Sequence, residues 1–70
     1  MRTIQVNFNS RTNDNNIRLG LLARSIGGAF IRVGDRVRVT GDDLEVEAEV
    51  IERDGMLVAV PNWDTLDWTN

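Results

Sequence analysis

The sequence predicts an all-β protein: a small antiparallel barrel of five to six strands with an N-terminal hairpin, spanning residues 1–70 as one domain. Three observations carry this. Apolar and polar side chains alternate over residues 3–9, 36–40 and 44–50, the period of a sheet with one face buried and one wet. Turn formers, Gly41-Asp42-Asp43 and Asp54-Gly55, separate consecutive runs. No long periodic helix pattern competes.

The first strand covers residues 3–9, with Ile4, Val6 and Phe8 on one face and Thr3, Gln5, Asn7 and Asn9 on the other. Residues 10–16, Ser-Arg-Thr-Asn-Asp-Asn-Asn, are wholly polar and read as an exposed loop. Its single carboxylate, Asp14, is too few for a calcium loop. Residues 17–24 fit a second strand, hairpin-paired with the first, with Ile17, Leu19, Leu21 and Ala23 inward. A helix is the competing reading, at a cost of about 1 kcal/mol for the interior Gly20. Ser25 to Phe30 is a connector that turns at Gly27-Gly28; with no lysine in the chain it is no phosphate loop.

Residues 33–60 organise the rest. Val37 and Val39 alternate with Arg36, Arg38 and Thr40; Leu44, Val46, Ala48 and Val50 alternate with Glu45, Glu47 and Glu49. A two-residue loop at Asp42-Asp43 sets Val39 opposite Val46, Arg38 opposite Glu47 and Arg36 opposite Glu49. A four-residue loop sets Arg38 against Glu45 instead. Both registers match like with like, whereas a slip of one would turn an apolar face to water. Asp54-Gly55 predicts the next hairpin, with Ile51 opposite Val58 and Glu49 opposite Val60. Val50 and Ile51 then point to opposite faces, which predicts a bulge or bend between them. Pro61 ends the last long strand. The tail, residues 63–70, reads as a short strand or one helical turn. It holds both tryptophans, Trp63 and Trp68, which either cap the open end of the barrel or stand exposed beside Asp64 and Asp67 to grip a partner.

Composition bounds the chemistry. A chain of 70 residues buries about 60% of its unfolded surface and is marginal alone. Without Cys or His it has neither disulfides nor the usual zinc ligands. His, Cys, Lys and Tyr are all missing, which removes the usual bases and nucleophiles. The glutamates at 45, 47 and 49 lie about 6–7 Å apart by strand rise and read as solvated partners of Arg36 and Arg38. A chain this short leaves little room for a pocket of about 300 Å³. We therefore expect no enzyme, no catalytic residue, no metal and no cofactor. No apolar run reaches transmembrane length and the N-terminus lacks a leader's apolar stretch, which predicts a cytoplasmic protein with no membrane partner. The net charge of −3 is uneven: residues 1–40 hold seven arginines against two aspartates, and residues 41–70 hold nine acids against Arg53. Pairing across the sheet should cancel much of this.

The segment Val33-Gly34-Asp35-x-Val37-x-Val39, followed by a turn and a strand closed by Asp-Gly, resembles the start of SH3-like small barrels, a group that includes Tudor-like, KOW-like and translation-protein barrels. Val60-Pro61-Asn62-Trp63 is similar to the Pro-Ser-Asn-Tyr segment of eukaryotic SH3 domains, one residue short. The paired tryptophans and the Ala-Leu-Tyr-Asp-Tyr segment of that family have no counterpart, so its proline-rich-peptide site is not carried over. The KOW-type glycines are replaced by Asp42-Asp43-Leu44-Glu45. The short, lysine-free, acidic chain is similar to small proteins of GC-rich actinobacteria and their phages. The leading expectation is an interaction module that binds a protein partner through loops and the tail, with Trp63 and Trp68 as anchors and Asp64 and Asp67 as a polar rim. Nucleic-acid binding through Arg2, Arg11, Arg18, Arg24 and Arg32 is the alternative, although the acidic total disfavours it. Other readings are a self-associating homo-oligomeric subunit of a structure such as a phage particle, or an acidic mimic of nucleic acid built on residues 42–54.

Overall fold

The computed structural model describes residues 1–7, 12, 14–41 and 43–68. Phe8 and Asn9 of the expected first strand, Ser10, Arg11 and Asn13 of the loop, Asp42 of the turn, and Thr69 and Asn70 lie outside them. Six strands form one curled, mixed sheet, a half-barrel. They are β1 (Arg2–Gln5), β2 (Ile17–Gly20), β3 (Arg36–Gly41), β4 (Leu44–Arg53), β5 (Met56–Pro61) and β6 (Asp67–Trp68). Among the described residues no helix is long and apolar enough to cross a membrane.

The central meander follows the alternation. Arg36 pairs with Glu49, Arg38 with Glu47 and Val39 with Val46, the register of a two-residue connection. Glu49 pairs with Val60 and Ile51 with Val58 in the next hairpin. Val37, Val39, Val46, Ala48 and Val50 are buried and form one cluster with Ile4, Ile17, Ile31, Leu57 and Ala59. Fully burying a valine or isoleucine contributes about 1.5–3 kcal/mol, so this single layer is the main source of stability. The bulge expected between Val50 and Ile51 is not there; the β4–β5 ladder runs unshifted from Ala48 to Arg53. Both faces of β5 carry buried residues. Ala59 sits opposite Val50 in the core, and Val58 is buried on the other face, flanked by Ile51 and Arg18.

The N-terminal hairpin is corrected. β1 pairs in parallel with β3, Ile4 beside Val39, and β2 pairs antiparallel with β5, Ile17 beside Ala59. The sheet is therefore mixed. The commonest hairpin loops hold about two to five residues, whereas residues 6–16 separate β1 from β2. A parallel neighbour needs a crossover of a dozen or more residues, which residues 6–35 supply. Both strands instead take the seats beside the meander where Ile4 and Ile17 are buried.

β2 is a strand, as favoured, but a shorter one. The register shifts between Arg18 and Gly20, and Gly20 has φ +92°, a left-handed value only glycine adopts readily. There the chain leaves the sheet, so Leu21, expected inward, is 75% exposed. Residues 23–31 then form a small hairpin. Arg24 bridges Phe30, the Ser25 amide donates to the Ala29 carbonyl (2.8 Å), and the Ile31 amide donates to Ala23 (2.9 Å). Its tip docks on β1 through Ile26 N–H to the Thr3 carbonyl at 2.7 Å.

Candidate interaction surface

After Pro61 the chain continues along the same edge of β4 that β5 occupies. The Asn62 amide donates to the Glu47 carbonyl at 2.8 Å. Asn62 then caps a 3-10 helix, Trp63–Thr65, its Oδ1 accepting from the Asp64 amide at 3.2 Å. Asparagine suits this place because its side chain replaces a missing helical acceptor. The Thr65 hydroxyl donates to the Asn62 carbonyl (2.7 Å) and accepts from the Glu47 amide (2.9 Å). One hydroxyl thus closes the turn and ties it to the sheet. β6 resumes the ladder, Asp67 beside Glu45 and Trp68 beside Leu44.

The tail is both of the expected forms, a helical turn and then a strand. Its tryptophans do not complete the core: Trp68 is 66% exposed and Trp63 is 38% exposed. Leu66, Asp64 and Asp67 are exposed around them. The four residues predicted as a partner-binding site therefore share one short, backbone-anchored edge. Thr65 and Asn62, which hold that edge, escaped the sequence reading. The available signal was the Asn-x-x-Thr spacing before a polar turn, which is weak on its own.

The predicted nucleic-acid residues are only partly gathered. Arg18 and Arg24 line one open groove of about 360 Å³ with Leu19, Leu22 and Val6. The Arg24 guanidinium lies 4.5 Å over the Phe30 ring. Arg2 at the start of β1 and Arg32 are not on that groove. Arg32 sits in a tight turn where its amide donates to Asp35 Oδ2 at 2.9 Å. Arg11 lies outside the described residues.

The acidic strand meets its expected partner. Arg38 pairs with both Glu45 (3.5 Å) and Glu47 (3.7 Å), combining the two registers' contacts in one fork. Arg36, opposite Glu49, faces an open groove of about 470 Å³ that Ile51, Val60 and Pro61 also line. The surface thus has grooves larger than the 70-residue length led us to expect. Asp14 forms an ion pair with Arg53, tying the polar loop to the β4–β5 turn. Among the described residues no three acidic side chains gather to hold a metal.

No known protein family, no curated protein and no solved structure matches this chain.

Proposed function

We propose that this chain is a non-enzymatic interaction module, an SH3-like small barrel in the cytoplasm that docks a protein partner through its C-terminal edge. The exposed Trp63/Trp68 pair carries the reading. Exposed apolar patches rimmed by polar residues mark interaction sites, and Trp is among the residues enriched at binding hot spots. Thr65 and Asn62 hold the backbone beneath the pair, so little ordering cost remains to be met on binding. Asp64 and Asp67 supply a polar rim. The SH3-like assignment is supported by the three-stranded meander followed by a 3-10 turn and a last short strand.

Affinity capture from lysate, with and without nuclease, beside a Trp63→Ala/Trp68→Ala variant of unchanged melting temperature, is the test. A protein that survives nuclease and is lost by the variant supports the module and its site. Binding that persists in the variant removes the site. The second reading, nucleic-acid binding, has the shared Arg18/Arg24 groove in its favour. Its signature is recovery that vanishes with nuclease and affinity that falls steeply with salt.

A further inference from the structure

Among the described residues ten large apolar side chains are exposed, and eight of them fall on just two edges of the sheet. One edge is the tail, with Trp63, Leu66 and Trp68. The other is the 21–33 segment, with Leu21, Leu22, Ile26, Phe30 and Val33. One ladder of pairings runs from the hairpin tip to the tail. Across one level of the sheet Ile26 bonds Thr3, Thr3 pairs with Arg38, Arg38 pairs with Glu47, and Glu47 bonds Asn62 and Thr65. Along this ladder β1, β3 and β4 lie between Ile26 and the tail.

Their charges are opposite. The 21–33 edge carries Arg24 and Arg32, with Arg18 on the adjoining groove, against Asp35, whose Oδ2 accepts from the Arg32 amide. The tail edge carries Asp64 and Asp67, and no cation follows Arg53 in the sequence. Arg24 and Phe30 pair on one side of the short hairpin, while Ser25 and Ile31 on its other side are buried.

We propose that the chain self-associates head to tail, the tryptophan edge of one copy seating on the 21–33 edge of the next. This rests on the docking role of the tail and names its partner as a second copy. A surface that is apolar and acidic has in this same chain a counterpart that is apolar and basic. Because the two patches differ, the contact is heterologous and repeats, building rings or filaments rather than a closed two-fold dimer. Acid–arginine pairs at the rim set register and add salt sensitivity.

The test is sedimentation velocity from about 5 μM to 1 mM, a range that spans weak to moderate association. It compares the wild type, Leu22→Ser/Phe30→Ser, Leu66→Ser/Trp68→Ser, and an equimolar mixture of the two variants. All four substituted side chains are exposed, and unchanged thermal midpoints check that each variant folds. The wild-type mass should climb past dimer with concentration and fall back several-fold as salt is raised. Each variant alone should stay near 7.9 kDa. The mixture should stop at a one-to-one pair, since one intact edge of each kind remains. A wild type that is monomeric throughout overturns the proposal. So does dimerisation of Leu22→Ser/Phe30→Ser alone, which would mean that tail edges pair with each other, or a mixture that stays monomeric. A monomer that instead cosediments with phosphatidylglycerol vesicles assigns the 21–33 edge to lipid and also overturns it. If the wild type is monomeric but the tail variant loses a captured protein, self-association fails alone and the interaction module stands.

Discussion

Thr65 does more than its exposed neighbours suggest. Its hydroxyl is donor to Asn62 and acceptor for the Glu47 amide. Thr65→Val keeps the shape but orphans that part-buried amide, at a cost of about 1–2 kcal/mol. Urea unfolding should show the loss, and Thr65→Ser should recover most of it. In the core, Ile17 is fully buried where β2 meets β5. Ile17→Ala should cost about 2–5 kcal/mol, enough to unfold much of so small a domain at 25 °C. Leu21→Ala, four positions on and 75% exposed, should leave the unfolding midpoint unchanged. Alternation alone assigns these two residues the same inward role. What separates them is the left-handed Gly20, and nothing in the alternation of side chains announces where a glycine will take that conformation.

At the scale of elements, legibility followed the length of the connections. The β4–β5 hairpin was readable to the residue, and the β3–β4 hairpin down to two registers, since a two-residue and a four-residue loop both keep valines together; the chain takes the first. At the second turn Asp54 and Gly55 have φ of +54° and +81°, the pair of left-handed values that a two-residue hairpin loop requires. A Cβ on Gly55 would meet no atom within 4 Å, so Gly55→Ala should cost the backbone strain alone, about 1–2 kcal/mol, measured by thermal or urea melts. Arg38→Ala should cost less, about 0.5 kcal/mol, with the difference shrinking at high salt, because its two ion pairs are half-exposed. The seats of β1 and β2 were not readable. Long links leave the partner of a short strand to be decided by which side of the meander can bury Ile4 or Ile17, and that depends on the curl of the whole sheet. The tail was half readable: both its forms were foreseen, but the exposure of its tryptophans turns on Thr65 and Asn62 fastening the backbone to β4.

Among the described residues one apolar cluster forms the core, and ten large apolar side chains stand exposed outside it. A closed barrel would bury its edges; this half-barrel leaves apolar side chains beside them, divided by charge onto two sides. The proposed docking role of the tryptophan edge requires that edge to lie outside the core, and Trp63 and Trp68 are the chain's two tryptophans. Their fluorescence in dilute, folded protein tests this most directly. Trp68, 66% exposed, should emit at long wavelength and be readily quenched by acrylamide, Trp63, 38% exposed, less so, and both should shift to the blue and gain protection when a partner or further copies bind. Blue-shifted, quencher-protected emission in the dilute, folded monomer would put the tryptophans inside the barrel and contradict the docking surface altogether.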